Sequence, residues 1–234
     1  MRLLSHLVRR GMNHQPIHHP EVANMRISYD SGELLEQSVS KDPYSQFERW
    51  FADAKRDPNE PNAMNLSTCL NNRPSSRIVL LKDYDTTGFV FYTNYNSRKA
   101  QELDGNPFAA LTFYWPHETS SRSVRIEGEV ERVSQEESEA YFATRPRGSQ
   151  IGAWTSEKQS GIIPGGRNEL ENREEKVKES FNVVETVPKP PFWGGYRVKP
   201  DRFEFWQGRA SRLHDRLEYI KSENGGWSLR RLSP

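Results

Sequence analysis

The segment Glu204-Phe-Trp-Gln-Gly-Arg-Ala-Ser-Arg-Leu-His-Asp-Arg216 says more about the fold than any other stretch of this chain. Turn-forming residues separate two strand-like runs in it, which predicts a β-hairpin that turns at Gln207–Ser211. On the second strand, successive side chains alternate between the two faces of the sheet. We therefore expect Arg212, His214 and Arg216 to share one face. Three potentially cationic groups in a row repel one another unless an anionic or planar ligand lies over them. Ion pairing with acids opposite is the alternative.

Outward from this hairpin, short runs rich in β-branched and aromatic residues predict a meander of further strands. The predicted strands are Ala63–Leu70, Ser76–Lys82, Phe89–Thr93, Ala109–Trp115, Ser123–Val133, Gly195–Val198, Phe203–Gln207, Arg212–Ile220 and Trp227–Leu232. Helices are predicted from Asp42-Pro43 through the apolar stripe Phe47, Trp50, Phe51 and Ala54, at Ser97–Leu103, from Ser134 to Pro146, at Gln150–Trp154 and at Asn168–Phe181. The pattern indicates an α+β fold, mainly antiparallel β, in which a β-barrel carries peripheral helices.

Composition excludes several classes of protein. The chain has 234 residues with 33 Lys+Arg and 32 Asp+Glu, and a net charge of +1 argues against a protein that coats nucleic acid or an acidic membrane. Mean hydropathy is −0.90, and no apolar run approaches the roughly 18 residues of a membrane helix. Cys69 is the single cysteine, so a disulfide within the chain and a multi-cysteine metal site are both excluded. Such cysteine usage is typical of a reducing compartment.

The N-terminal stretch differs from the rest of the chain. Its first twenty residues contain no Asp or Glu, and its arginines flank a cluster of leucines and a valine. This composition is typical of a mitochondrial transit peptide, and a disordered tail is the alternative. We therefore divide the chain into a disordered or targeting tail, residues 1–24, and one domain, residues 25–234. A cytoplasmic location is expected, with a mitochondrial one as the alternative.

Basic residues at two places are candidates for binding phosphate. Arg77 and Lys82 lie five positions apart on one predicted strand and should therefore point to opposite faces, toward different anions or different ends of one. Two charges solvated at strand ends are the alternative interpretation. Arg98 and Lys99 begin a predicted helix, where free N–H groups and the helix dipole favour an anion.

A third candidate lies around the predicted turn at Pro146. Tyr141 and Arg145 are spaced i and i+4 on a helix, so a hydroxyl and a guanidinium should share one face. Ser149 follows near the start of the next helix, where its hydroxyl is a cap or a further phosphate donor. Motifs for nucleotide loops, zinc proteases and serine hydrolases are absent from the sequence. The histidines of the tail, His14, His18 and His19, lack partners with ligand spacing, and no metal site is predicted.

Taken in order, these segments resemble the pyridoxamine/pyridoxine 5′-phosphate oxidase family, whose members are FMN enzymes with a split-barrel flavoprotein fold. The resemblance covers nearly everything from about Asp42 to the C-terminus. The matching segments are SSRIVLLK (75–82), FYTNYNSRKAQEL (91–103), NPFAALTFYW (106–115), RSVRIEGEVE (122–131), YFATRPRGSQIGAW (141–154), WGGYRV (193–198) and EFWQGRASRLHDR (204–216).

The resemblance implies a homodimer with FMN bound at the subunit interface. Implied flavin contacts are Arg77, Ile78, Val79, Leu80, Tyr92, Thr93, Arg98, Lys99, Ser123, Gln159, Ser160, Trp206 and Arg216. Implied substrate contacts are Lys82, Tyr141, Arg145 and Ser149 at the phosphate, Arg212, Leu213 and His214 at the pyridine ring, and Arg26 and Tyr29 in an N-terminal lid. Arg212 and His214 are the implied catalytic residues.

The chain departs from the family at Ser123. Members of the family usually have glutamine there as a flavin contact, and serine is too short to reach where glutamine reaches. The preceding loop, His117–Ser121, is also longer than in the family. The flavin contact expected from this position is therefore weakened in this chain.

The implied reaction is oxidation of pyridoxamine 5′-phosphate and pyridoxine 5′-phosphate to pyridoxal 5′-phosphate, with dioxygen as acceptor and release of hydrogen peroxide. Neither nucleic acid nor a membrane is expected as a partner. Two alternatives are a split-barrel FMN protein with another substrate and a non-catalytic flavin or vitamer binder. The full set of phosphate-binding residues disfavours the first, because another substrate would not need it. The pair Arg212 and His214 disfavours the second.

Overall fold

The computed structural model describes residues 20–23, 25, 28–29, 32–56, 59–117 and 121–234. Most of the predicted tail lies outside these residues, and so does the predicted lid residue Arg26. No helix within the described ranges is long and apolar enough to span a bilayer.

One antiparallel sheet forms the centre of the described structure. Its strands are β1 (Ala63–Leu70), β2 (Arg73–Leu80), β3 (Asp83–Asp85), β4 (Gly88–Asn94), β5 (Phe108–Trp115), β6 (Arg122–Arg132), β7 (Trp193–Gln207), β8 (Asp215–Lys221) and β9 (Trp227–Arg231). They pair in the order β2-β1-β5-β6-β7-β4-β3, with β8 on β7 and β9 on β8. Just after β2, the Lys82 N–H donates to the carbonyl of Val90 in β4 at 2.9 Å, which brings the two ends of the sheet together. The α+β, mainly antiparallel barrel predicted from the sequence is confirmed.

The helices pack around this barrel. They are α1 (Pro20–Ala23), α2 (Pro43–Ala54), α3 (Arg98–Gly105), α4 (Gln135–Ala143), α5 (Arg147–Thr155) and α6 (Gly166–Ser180). Side chains of Asp42, Ser97 and Ser134 accept hydrogen bonds from backbone N–H groups in the first turns of α2, α3 and α4, as their N-cap positions predict.

The barrel core is dominated by aromatic side chains. Phe47 of α2 is fully buried, and its ring centroid lies 4.9 Å from that of Phe89 and 5.2 Å from that of Phe113. Trp50, one turn later, packs edge-on against Phe205 of β7 at 5.2 Å. Each aromatic ring buries on the order of 150–250 Å², so this apolar stripe of α2 is a core element, as predicted.

The structure corrects two predicted strand assignments. The runs Gly195–Val198 and Phe203–Gln207 belong to the single strand β7, which continues through Pro200 because the register shifts at Glu127/Gly128 of β6. The predicted strand Arg212–Ile220 begins only at Asp215.

The residues before β8 adopt a turn instead of a strand. Ser211 and Arg212 have left-handed φ values of 56° and 62°, within a short 3₁₀ turn. Arg212 and His214 therefore lie in the loop between β7 and β8, and only Arg216 lies on the strand. The expectation that these three residues share one strand face was wrong, because left-handed residues interrupt the two-residue period.

Gly128→Ala should destabilise the protein by roughly 2 kcal/mol or more. A Cβ at Gly128 would lie 2.0 Å from the backbone oxygen of Lys199, at the point where β6 and β7 change register. Chemical denaturation should show the loss. Gly148→Ala is the control, because nothing lies within 4 Å of a Cβ there, and it should be neutral or slightly stabilising. Equal stability of the two variants would contradict this account of the bulge.

Candidate functional site

A cavity of about 810 Å³ opens between the barrel and helices α3 to α5. It brings together many of the residues that the sequence predicted to bind flavin or substrate. Those that line it are Arg77, Ile78, Val79, Leu80, Lys82, Tyr92, Thr93, Lys99, Tyr141, Arg145, Ser149, Gln159 and Ser160.

The lining of this cavity tests the predicted side-chain directions of two pairs, Arg77 with Lys82 and Tyr141 with Arg145. Arg77 and Lys82 line the same cavity and not opposite faces, because Lys82 lies beyond the end of β2 and escapes its alternation. Arg145 likewise lies just past the end of α4, yet it lines the cavity with Tyr141 as predicted.

Stacked aromatic rings form one wall of the cavity. Tyr92 stacks on Tyr141 at 4.0 Å between ring centroids, and on Trp193 at 5.3 Å. The Arg145 guanidinium lies over the Trp193 ring at 4.7 Å. The wall is therefore flat, apolar and capped by a cation.

Arg145 is short of hydrogen-bond partners. Its Nη1 is buried and has no partner among the described residues. Burial lowers the pKa of this guanidinium, although it remains charged at neutral pH. Since a buried unpaired donor is costly, this position favours an anionic ligand.

Lys99 supplies a second cation to the lining of the cavity. Its Nζ donates to Thr93 Oγ1 at 3.1 Å and to Gln159 Oε1 at 3.2 Å. Burial, and then the positive charge of Arg77, lowers the pKa of Lys99 to about 8, while Glu102 acts in the other direction. Lys99 is therefore mostly charged at pH 7 and loses its charge as the pH rises through 8.

Glu102 anchors the two arginines next to Lys99. This buried carboxylate accepts from Arg77 Nη2 and from Arg98 Nε, each at 2.8 Å, and from the Thr68 hydroxyl at 2.6 Å. Arg98 lines an adjacent cavity of about 500 Å³ that shares Gln159 and Ser160 with the first. Its place in the flavin site stays a prediction.

The remaining predicted residues form a second cluster elsewhere on the sheet. Ser123, Trp206 and Arg216 are cross-strand neighbours on β6, β7 and β8. A cavity of about 400 Å³ lies on this face, bordered by Thr112, Tyr114, Ser123, Arg125, Glu204 and Trp206. No described residue that lines this cavity also lines the first one.

Tyr29 and His214 complete the second cluster. The ring of Tyr29 lies edge-on to Trp206 at 5.7 Å and to His214 at 5.6 Å. Gly208 makes room for it, because a Cβ there would lie 2.6 Å from Tyr29 Cγ. Arg212 and Leu213 lie next to His214 in the exposed loop.

The environment of His214 defines its hydrogen-bonding state. The backbone N–H of Arg209 donates to its Nδ1 at 3.1 Å, which leaves the proton of the neutral ring on Nε2. Burial, and then the charge of Arg212, lowers the pKa of His214. At neutral pH the side chain is therefore a neutral donor through Nε2.

Some residues of the site were not found from the sequence. Trp193 and Asn94 line the first cavity. Glu102 pairs with Arg77 beside that cavity, and Glu204 pairs with Arg216 of the second cluster. Trp193 and Glu204 lie within segments that carry the family resemblance, so their presence there was a usable signal. Glu102 also lies within such a segment (91–103), but nothing else in its charged helix distinguished it from a glutamate that faces solvent.

The comparisons with known proteins decide the family. Residues 51–186 match the family described as pyridoxamine 5′-phosphate oxidase. The chain belongs to this family. Residues 193–234 match the pyridoxine 5′-phosphate oxidase C-terminal dimerisation region.

Curated relatives extend over most of the chain. A pyridoxine/pyridoxamine 5′-phosphate oxidase of Bordetella petrii is 53% identical over 216 residues, covering 91% of this chain and 99% of the relative. A pyridoxine-5′-phosphate oxidase of Dictyostelium discoideum is 50% identical over 219 residues, covering 91% of this chain and 93% of the relative.

Solved structures confirm the split-barrel fold. PhzG from Burkholderia lata, solved with tetrahydrophenazine-1-carboxylic acid, matches with a TM-score of 0.78 and 27% identity, covering 88% of this chain and 100% of PhzG. An FMN-binding protein of Nostoc punctiforme, related to pyridoxamine 5′-phosphate oxidase, has a TM-score of 0.65 at 16% identity, covering 84% of this chain and 99% of that protein. The second likeness concerns the fold alone.

Lys99 should titrate near pH 8 in the ligand-free protein. Competitive amine labelling, read by mass spectrometry across a pH series, should show its half-maximal reactivity there. Lys199 is the control, because its hydrogen bond to Glu131 raises its pKa, and it should stay unreactive until beyond about pH 10. If Lys99 gains reactivity only together with Lys199, the desolvated environment described for it is wrong.

Proposed function

We propose that this protein oxidises pyridoxamine 5′-phosphate and pyridoxine 5′-phosphate to pyridoxal 5′-phosphate, with FMN as cofactor and dioxygen as acceptor. The observation that carries the proposal is the first cavity. Its cation Arg145 has a buried Nη1 without a partner among the described residues, next to a flat aromatic wall. Membership of the oxidase family supports the same reaction.

The residues of the first cavity fit FMN and a phosphorylated substrate together. Lys99, Thr93 and Gln159 offer a hydrogen-bonding cluster on one side, beside the anchored Arg77. We assign this side to the flavin, with Ile78, Val79, Leu80, Tyr92, Arg98 and Ser160. Bound there, FMN would supply the redox chemistry, with the substrate as the two-electron donor and dioxygen as the oxidant that is reduced to hydrogen peroxide.

The substrate phosphate is assigned to Lys82, Tyr141, Arg145 and Ser149. Lys82 and Arg145 form no ion pair within the described ranges, so their charge remains available for an anion. The Arg145 guanidinium lies over the Trp193 ring, and Arg145 lines the cavity. A phosphate bound there would satisfy the buried Nη1 and keep the pyridine ring in one orientation.

Residues of the second cluster are assigned to the reacting face of the complex. Arg212 remains charged at working pH, so its role is to orient the pyridine ring and stabilise charge as hydride leaves. His214 donates from Nε2 to the substrate, since its Nδ1 is already occupied by the Arg209 N–H. Tyr29 lies against Trp206 and His214, where it can cover the bound ring.

A complete site then requires two subunits. Flavin contacts are assigned in both clusters, yet within one chain the clusters line separate cavities. Three large hydrophobic side chains of this sheet are exposed in the single chain: Ile78, Phe108 and Tyr114 are 67%, 56% and 53% exposed. Exposed apolar surface of this kind favours association with another protein surface. Together with the dimerisation-region match, this supports a homodimer in which FMN binds between the first cavity of one subunit and the second cluster of its partner.

Lys82→Ala and Arg145→Ala should each weaken substrate binding about 10–100-fold, because a hydrogen bond to a charged group contributes roughly 1.5–3 kcal/mol. Flavin content, read from the absorbance spectrum, should not change. Arg147→Ala is the control: this guanidinium donates to the carbonyls of Phe181 and Glu185, outside the cavity, and the variant should keep its KM. Unchanged KM in both cavity variants would contradict the assignment of Lys82 and Arg145 to the substrate phosphate.

Mixing of inactive subunits tests the composite site. Arg212→Ala should lower kcat/KM at least about 100-fold while the homodimer stays yellow. In a heterodimer of Arg145→Ala and Arg212→Ala subunits, one site carries both substitutions and the other carries neither. Isolated heterodimers should therefore regain about half of the wild-type activity, as two-fold symmetry requires.

The opposite result has a clear meaning. If Arg145 and Arg212 serve the same site from one subunit, every site of the heterodimer carries one substitution and activity stays low. That outcome would reject the placement of FMN between subunits while leaving the reaction itself in place.

A further inference from the structure

Glu204 is a buried carboxylate to which no role has been assigned so far. It lies on β7 and is 6% exposed. Its cross-strand neighbours are Arg125 on β6 and Glu218 on β8, and Glu218 in turn faces Arg230 on β9. The four residues form one row across the sheet.

Two acids directly opposite each other would repel in this row. Glu218, only 2% exposed, is neutralised by Arg202 at 3.3 Å and Arg230 at 2.5 Å. Glu204 is neutralised by Arg125, whose Nη2 lies 2.7 Å from Oε2, and by Arg216. Each acid therefore has its own pair of arginines, and the two pairs share no member.

Arg216 reaches Glu204 diagonally from the next row of the sheet, which it shares with Ser123 and Trp206. Its Nε donates to Oε1 at 2.8 Å and its Nη2 to Oε2 at 3.1 Å. Its Nη1 donates to the carbonyl of Ser233 at 2.9 Å. Of the five N–H groups of a guanidinium, two remain for a ligand, and their direction is set by these contacts.

We infer that Glu204 is a positioning residue for FMN: by its two-point ion pair it holds Arg216 in the orientation that receives the cofactor. The inference rests on the assignment of Arg216 to the flavin under the proposed function. A long flexible side chain loses rotamer freedom when it binds a ligand, and a guanidinium already held by a planar ion pair loses less. Removing the carboxylate charge should therefore weaken FMN binding even though Glu204 itself need not touch FMN.

Glu218, the neighbour of Glu204 on β8, provides a matched control for a loss of sheet stability. Glu218→Gln removes an equally buried acid, also held by two arginines, from the strand next to Glu204. Glu218 accepts hydrogen bonds from Arg202 and Arg230 instead of from Arg216. The hydrogen bond to Glu204 and then the charge of Glu204 raise the pKa of Arg216, and the charge of Glu218 raises it less. A loss of general sheet stability should affect both variants alike. A loss of positioning should affect Glu204→Gln alone.

FMN titration of the apoprotein, followed by flavin fluorescence quenching, measures the effect without relying on turnover. Glu204→Gln should raise the Kd for FMN about tenfold or more, and Glu218→Gln should leave it within about twofold. Arg216→Ala should also raise the Kd. If Glu204 acts through Arg216, the double variant Glu204→Gln/Arg216→Ala should bind FMN as Arg216→Ala does.

Each remaining outcome is decisive. Equal effects of Glu204→Gln and Glu218→Gln, or additive effects in the double variant, would overturn the inference. Weakened binding in Arg216→Ala with unchanged binding in Glu204→Gln would overturn it but keep Arg216 at the flavin. Wild-type binding in Arg216→Ala would instead reject the proposed assignment of Arg216. Should Glu204→Gln fail to fold, Glu204→Asp keeps the charge and shortens the reach, and an unchanged Kd there would count against positioning.

Discussion

The backbone pairing of β7 is the constraint on which the rest of the structure depends. This strand pairs with β4 along its first part, with β6 from Tyr196 to Gln207 and with β8 along its last part. Trp193 at its start contributes to the first cavity, and Trp206 near its end contributes to the second cluster. At ~3.3 Å per residue, a strand of this length separates the two tryptophans by up to about 43 Å.

That separation explains why the predicted site falls into two parts within one chain. A flavin with its substrate is much shorter than β7, so it cannot contact both ends of one strand. In the proposed function, two-fold association would bring one end of β7 near the other end of the partner's copy. The bulge opposite Gly128 lets this long strand bend without interrupting its pairing.

Charge is distributed unevenly between these parts. Buried Glu102 forms ion pairs with Arg77 and Arg98, and buried Glu204 forms ion pairs with Arg125 and Arg216. Arginines assigned to the flavin are therefore held rigidly by acids, whereas Arg145 keeps a buried donor without a partner among the described residues. Anchored arginines suit a tightly held cofactor, and an incompletely satisfied cation suits a substrate phosphate that must come and go.

Local sequence patterns were sufficient to predict most strands, the helix starts and the residue types of the site. Period-two runs predicted β1 within its observed bounds, and the helix starts at Asp42, Ser97 and Ser134 were confirmed, because each depends on contacts within a few residues. The grouping of the site depended on long-range contacts, such as the hydrogen bond from Thr93 to Gln159, 66 positions away. The left-handed turn at Ser211 and the pairing of Arg216 with Glu204 likewise appear only in three dimensions. Periodicity reports which way a side chain points from its own strand, but which side chains meet is decided by how distant strands pair.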